Sequence, residues 1–152
     1  MSRFQFSLRS LLVAALVLPL AGCWILRSRQ AANAAHDYLA VASAHNVGTA
    51  TFQQVYDCSC RLRDAELATP FANRRATLIG YLNRLAHLEE SEKGMLMYAT
   101  LGEGMIEVLN ARIPALRAER QALEEELGVK ANPVLGGGHE PGTLAAILEV
   151  DP

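Results

Sequence analysis

The chain of 152 residues carries 14 basic and 16 acidic side chains, a formal net charge of −2. A nucleic-acid partner would call for a basic face, so this balance predicts no nucleic-acid binding. Aromatic residues make up only 6%, and the sequence lacks the alternating Val, Ile, Thr and Tyr runs that indicate strands. We therefore predict an all-α fold: an N-terminal signal or anchor helix, two antiparallel, coiled-coil-like helical hairpins and a disordered C-terminal tail.

The apolar stretch 11–26 decides where the rest of the chain is expected to lie. Arg3 and Arg9 precede it, no charge interrupts it, and small residues lie towards its end, which is the order of a secretory signal. As a helix it measures about 24 Å, which is short for a stretch that spans a bilayer. We assign residues 1–26 to a signal peptide or membrane anchor, so the body should face the periplasm.

The end of this stretch carries a processing pattern. Leu20-Ala21-Gly22-Cys23 resembles the lipobox of bacterial lipoproteins. That resemblance implies that Cys23 is lipidated and becomes the first residue of the mature chain. An uncleaved single-pass anchor is the alternative, because Trp24, Ile25 and Leu26 extend the apolar run and Trp favours the membrane interface.

The first two helices of the body have clear boundaries. Residues 27–46 predict a helix with a small apolar face, which Gly48 ends in the left-handed conformation. Thr51 and Gln54 fit a capping box at the start of a second helix. Pro70 ends it, since the residue before a proline leaves the helical region. The predicted buried stripe consists of Phe52, Val55, Tyr56, Ser59 and Leu62.

A third helix is predicted over 71–93, with an extension to Thr100 as the alternative. Its apolar side chains recur at helical spacing. The predicted buried face consists of Phe71, Leu78, Ile79, Leu82, Leu85 and Ala86. The predicted solvated side consists of Arg74, Arg75, Arg84, Glu89, Glu90 and Glu92.

The fourth helix, over 104–127, has the most regular pattern. Its seam steps by three and four residues, as in a coiled coil, with one polar interruption at Arg120. Pro114 removes a backbone hydrogen bond, so we expect a kink, with a break into two helices as the alternative. Gly128 ends the helix and the domain 27–128, and the Pro- and Gly-rich residues 129–152 predict a disordered tail. The seam consists of Ile106, Leu109, Ile113, Leu116, Arg120, Leu123 and Leu127.

Two stretches of the body repeat a common pattern. The first reads Gly48, Thr51, Gln54-Val55-Tyr56, Leu62 and Ala65-Glu66, and the second reads Glu107-Val108-Leu109 and Ala111 after a divergent turn with Gly102 and Gly104. The pattern resembles the helical hairpin repeat of the outer-membrane efflux protein family. The resemblance implies long antiparallel helices packed as coiled coils, in a chain too short for a whole channel. A generic helical hairpin is the alternative explanation.

Cys58 and Cys60 are the most conspicuous reactive side chains of the body. Residues two apart on a helix point about 200° apart, so these thiols cannot bridge each other without unfolding that turn. We name Cys58 and Cys60 as candidates for an intermolecular disulfide. A plain helical role and metal or redox chemistry are the alternatives.

No pattern predicts a catalytic residue, a metal site or a cofactor. A Gly-x-Ser-x-Gly elbow and a phosphate-binding loop are both missing from the sequence. The histidines lack metal-ligand spacing, and the methionines fill gaps more often than they bind Cu(I). These residues are His36, His45, His87 and His139, and Met95, Met97 and Met105.

We therefore expect a membrane-anchored extracytoplasmic protein with a structural or protein-interaction role in the cell envelope, and not an enzyme. The expected partners are the membrane, through lipid on Cys23 or the N-terminal helix, and either a second copy or an envelope protein. One alternative is a small-ligand or metal-binding module that uses Cys58, Cys60, a histidine or the methionines. The other is a truncated relative of an efflux outer-membrane component.

Overall fold

The computed structural model describes residues 8–97 and 102–136, and its elements in those ranges are all helices. The all-α prediction is confirmed for this part of the chain. Among these helices, none combines the length and the apolar content that crossing a bilayer takes. The helices are α1 (Leu8–Asn46), α2 (Phe52–Leu67), α3 (Arg74–Met97), α4 (Glu103–Leu127) and the short α5 (Pro133–Gly136).

Helix α1 joins the predicted leader to the predicted first helix. The helix runs unbroken from Leu8 past residue 26, where the predicted signal or anchor ends, and it includes Pro19. The boundary of the leader itself stays a prediction. The apolar stretch continues directly into a stretch rich in alanine, a strong helix former, and no turn signal separates them. The predicted end is confirmed: Gly48 has a φ of +78°, and Thr49 N donates to Ala44 O at 2.8 Å.

Helix α2 begins with the predicted capping box. Gln54 N donates to Thr51 Oγ1 at 3.3 Å, and Thr51 N donates to Gln54 Oε1 at 2.8 Å. Such a cap is worth about 1 kcal/mol. Within the predicted stripe Tyr56 is only half-buried, and Cys58 is buried in addition to the others.

Helix α3 is the centre of the packing. It lies against α2, α4 and α5, while α1 packs on α2. The largest fully buried apolar side chains include Tyr81, Leu82 and Leu85. Around them lies the main core, which consists of Tyr38, Ala42, Phe52, Val55, Cys58, Leu62, Tyr81, Leu85, Leu88 and Leu116.

The predicted faces of the third helix are partly wrong. The helix begins at Arg74, and Phe71 is fully exposed with a φ of +64°. Arg84, Glu89 and Glu92 were expected in solvent but are buried. The reason is that α3 has neighbours on several sides. Six consecutive residues from 81 to 86 are therefore buried, and this part of the helix has no solvent-exposed face.

Helix α4 passes through Pro114 without ending, so the alternative of two helices is wrong. Along the predicted seam Leu109, Ile113, Leu116 and Leu127 are buried, whereas Ile106 is 38% exposed. Arg120 and Leu123 are half-buried. The predicted end is confirmed: Gly128 has a φ of +66° and its N–H donates to Glu124 O at 2.9 Å.

The segment after α4 packs on α3 for at least eight residues. Val129 and Ala131 contact the small cluster of Leu78, Leu82 and Leu127. Asn132 N donates to Asn83 Oδ1 at 2.8 Å. Residues 129–136 therefore belong to the helical body and not to the predicted disordered tail, whose remainder, 137–152, lies outside the described residues.

Candidate functional site

The N-terminal part of α1 is an apolar helix with little protein around it. Its large apolar side chains are between 47% and 71% exposed, whereas burial in the main core begins at Tyr38 and Ala42. Contiguous exposed apolar surface of this kind is uncommon on monomeric soluble proteins. The exposed side chains are Leu16, Val17, Leu18, Leu20, Trp24, Ile25 and Leu26.

Cys23, the predicted lipidation site, lies on this exposed part of α1. Its thiol is free and exposed. One helical turn later Arg27 Nη1 donates to Ala68 O at 2.9 Å, which ties this level of α1 to the end of α2. The apolar segment therefore leaves the helical body close to Arg27.

The two cysteines of α2 occupy different surroundings and both are free. Cys58 is buried, accepts a hydrogen bond from Arg61 Nη2 at 3.0 Å and lines a small cleft with Arg61, Ala34 and Asp37. Cys60 is half-buried, with its Sγ 3.3 Å from Tyr81 Oη. The structure does not bring them together, and the candidate intermolecular disulfide stays a prediction.

Beside Cys60, a carboxylate joins three helices. Glu119 on α4 accepts hydrogen bonds from Tyr56 Oη on α2 at 2.9 Å and from Tyr81 Oη on α3 at 2.7 Å. Burial and the bond to Glu119 raise the pKa of Tyr56 to about 12. Burial also raises the pKa of Tyr81, so both tyrosines stay protonated near neutral pH and remain donors to Glu119.

A second carboxylate, Glu89 on α3, is 2% exposed and forms ion pairs with cations of α3 and α4. Lys93 Nζ lies 2.9 Å, Arg120 Nε 2.8 Å and Arg117 Nε 3.1 Å from its oxygens. Burial alone would raise the pKa of Glu89, but these three hydrogen bonds outweigh it and bring the pKa to about 2. Glu89 is therefore an ionised link between α3 and α4.

A third carboxylate, Glu92, lies one turn further along α3 and is fully buried. His45 Nε2 is 3.6 Å and Arg112 Nη1 is 3.9 Å from its oxygens. Among the described residues, no donor lies within hydrogen-bond distance of either oxygen. Burial raises the pKa of Glu92, and His45 and Arg112 lower it only in part.

Arg84 is the buried cation of the α1–α2–α3 interface. Its Nε donates to Ser59 Oγ at 3.1 Å, its Nη2 is 3.6 Å from Glu66, and its guanidinium lies 5.5 Å from the centre of the Tyr38 ring. Burial lowers the pKa of Arg84, and Glu66 opposes that shift. The interior thus combines polar links with an apolar core.

The buried charged groups of the body lie between helices. Glu89, Glu92 and Arg84 bridge helices from buried positions that a substrate does not reach in this conformation. Within the described ranges, no group of three or more His, Cys, Asp or Glu is placed to hold a metal ion. His45 is buried, His36 exposed and His87 half-buried, and His139 lies outside the described residues.

The sequence contained one signal for the buried charges. Arg120 interrupts the predicted seam of α4 at a position where apolar residues are expected, which calls for a buried counter-charge. Glu89 is that partner.

Comparison of the chain with protein-family models, with curated proteins and with solved structures gave no match. Its function is therefore inferred from its own residues.

Proposed function

We propose that this chain is a membrane-anchored, extracytoplasmic helical protein of the bacterial cell envelope with a structural or protein-interaction role. The observation that carries the proposal is the apolar segment of α1, which is exposed from Leu16 to Leu26 yet continuous with the packed helix. In water this surface is costly, since burial of apolar area stabilises by about 25 cal/mol per Å². A bilayer covers it without any change in the body.

Lipidation of Cys23 is the anchoring mode that we favour. Processing then removes the residues before Cys23, and the lipid, together with exposed Trp24, Ile25 and Leu26, contacts the bilayer in place of the whole apolar segment. Cys23 is exposed and ends a lipobox-like tetrapeptide. Acyl chains anchor by burying methylenes at about 0.8 kcal/mol each, and stable anchoring takes more than one chain. With lipid on Cys23 or with an uncleaved apolar helix, the membrane surface lies near Trp24 and Arg27.

The body forms two helical hairpins, α1–α2 and α3–α4, that stand on this anchor. The Glu89 and Glu119 links hold α4 against α2 and α3 and oppose sliding of one helix past another, because a shifted helix leaves buried charges unpaired. Exposed apolar side chains at the far end of the second hairpin support a role in protein contacts. They are Met97, Met105, Ile106 and Val108.

Intact mass of the protein extracted from bacterial membranes tests the anchor. We expect a chain that begins at Cys23 and carries acyl chains, and we expect Cys23→Ser to abolish both. Cys60→Ser is the matched control and leaves processing unchanged. An unprocessed mass that Cys23→Ser does not alter indicates an uncleaved anchor, and a cleaved chain without lipid in the soluble fraction contradicts the proposal.

The interaction role has a separate test. Light scattering after size exclusion measures self-association, and cross-linking in intact envelopes captures a partner. We expect Ile106→Ser combined with Val108→Ser to weaken the observed association, whereas Val47→Ser, at a more exposed position in the turn between α1 and α2, leaves it unchanged. A strict monomer that cross-links to nothing in the envelope contradicts this role.

A further inference from the structure

The turn between α2 and α3 presents an aromatic ring at an unusual backbone position. Ala72 N donates to Thr69 O at 3.2 Å, which closes a reverse turn with Pro70 and Phe71 at its centre. Phe71 has a φ of +64°, a conformation that the third position of a type II turn requires and that glycine adopts most easily. A bulky residue here is strained and calls for a reason outside the local backbone.

The Phe71 ring does not pack in the protein interior. It is fully exposed, at 102% of its reference area, and Leu67 just before the turn is 36% exposed. The turn itself is well anchored, because Thr69 Oγ1 donates to Glu66 O at 2.6 Å. A fixed turn thus carries an apolar ring into the surroundings.

This turn lies at the end of the body from which the apolar segment emerges. Arg27 Nη1 donates to Ala68 O, so the exit of the segment and the turn are in direct contact. The last turn of α4 joins the same end, since Arg75 Nη2 donates to Leu127 O at 2.9 Å. Three helix termini therefore meet around the point where α1 leaves the body.

Exposed cations surround this end, which we call the base of the body. Arg27 and Arg29 follow the apolar segment, Arg74 and Arg75 begin α3, and Lys130 follows α4. Exposed Glu125 and Glu126 in the last turn of α4, and Glu124 at 3.8 Å from Lys130 Nζ, reduce the excess positive charge. A surface with one inserted aromatic ring and several peripheral cations fits a bilayer that contains anionic phospholipid.

We infer that the base of the body is a second membrane contact, in which Phe71 inserts into the interfacial layer and Arg74, Arg75 and Lys130 meet phospholipid headgroups. This inference rests on the proposed function, because the anchor, whether lipid on Cys23 or the uncleaved apolar segment, brings the base to the membrane surface. The contact fixes the angle at which the body stands, since the anchor alone allows rotation and tilt. Insertion of the ring then offsets the cost of the strained backbone at Phe71.

Fluorescence quenching by brominated phospholipid tests this contact on the full chain. The chain is reconstituted in vesicles of mixed zwitterionic and anionic lipid, and Trp24→Phe removes its single tryptophan. Phe71→Trp then reports on the base. Val47→Trp is the matched control, because Val47 is 74% exposed in a turn about 30 Å from Arg27 along α1. Leu67→Trp serves as a second reporter if circular dichroism reveals that Phe71→Trp perturbs the helices.

We expect the base reporter to be quenched roughly twofold or more relative to the control, and more strongly on anionic than on zwitterionic vesicles. Equal quenching of the two reporters, or none at the base, overturns the inference. Flotation of the same vesicles separates the two proposals. A chain that floats with an unquenched base keeps its anchor and loses this second contact, whereas a chain that stays in the aqueous fraction overturns both.

Discussion

Glu89 and Glu92 are two buried carboxylates one turn apart on α3, and their surroundings shift their pKa values in opposite directions. Both side chains are almost inaccessible, and both face α4. Glu89 receives hydrogen bonds from three cations, and its pKa falls to about 2. Glu92 lies 3.6 Å or more from its nearest cations, and burial raises its pKa. The number and geometry of donors decide the outcome, not burial by itself.

The two pKa values differ because the cations near Glu89 are free to reach it, whereas those near Glu92 are held by other contacts. Arg117 and Arg120 are one turn apart on α4, and Lys93 is one turn from Glu89 on α3, so three flexible side chains converge on one site. At Glu92 the partners are constrained elsewhere. His45 Nδ1 lies 3.0 Å from Ala50 O, and the Arg112 guanidinium lies 4.8 Å over the Phe52 ring.

The largest effect is expected from Glu89→Gln. It leaves Arg117, Arg120 and Lys93 without their shared anion, and we expect the free energy of unfolding at pH 7 to fall by about 2 kcal/mol. The value is below that of a fully buried pair, because these cations are 21% to 46% exposed and can turn to solvent. Urea unfolding followed by circular dichroism measures the change.

The lowered pKa of Glu89 predicts how the effect of Glu89→Gln on stability changes with pH. The folded pKa of Glu89, about 2, is below its ordinary value of 4.5, so its contribution is complete above about pH 4.5 and is lost as the pH falls towards 2. The variant should therefore converge with the wild type in acid. Glu90→Gln is the control on an exposed neighbour, with an expected change below about 0.5 kcal/mol. An equal loss in the control variant contradicts a special role for Glu89.

Glu92→Gln should act in the opposite direction. The substitution keeps the shape and removes a charge that accepts no hydrogen bond from the described residues, so we expect unfolding at pH 7 to cost about 1 kcal/mol more than in the wild type. A raised folded pKa means that the contribution of Glu92 is present below pH 4.5 and is lost as the pH rises through that pKa. The gain in the variant should therefore grow as the pH rises above about 4.5. Destabilisation at pH 7 contradicts the assignment of Glu92 as the poorly paired site.

The sequence predicted the ends of the helices better than the contents of α3. The Thr51–Gln54 capping box and the left-handed Gly48 and Gly128 depend on neighbours in the chain, and each is confirmed. The burial of Glu89 and Glu92 depends on residues of α1 and α4 that only the folded chain brings near. A run of charges reads as a solvated face whenever its partners are distant in sequence.

Local reasoning also did not anticipate that one helix continues from the predicted leader into the body. A processing pattern at Cys23 predicts a cleavage point, and the helix continues through it because apolar residues and alanines both favour helix. Phe71 is the converse case. A Pro before it predicted the end of α2, but its positive φ arises from the turn that joins α2 to α3.

The smallest effect, Arg112→Met, tests how weakly Glu92 is paired. Arg112 is 38% exposed and lies over the Phe52 ring, and loss of that stacking should lower the free energy of unfolding by about 0.5 kcal/mol. The same substitution in the Glu92→Gln background completes a double-mutant cycle. If the contact with Glu92 at 3.9 Å contributes little, Arg112→Met costs about the same in both backgrounds. A coupling energy above about 1 kcal/mol would mean that Arg112 stabilises the ionised Glu92 carboxylate despite the longer distance. Glu89 and Glu92 would then differ only in the distance to their cations. A small coupling leaves Arg112 as a ring contact, and the poorly paired Glu92 carboxylate then lowers the stability, whereas the Glu89 cluster one turn away raises it.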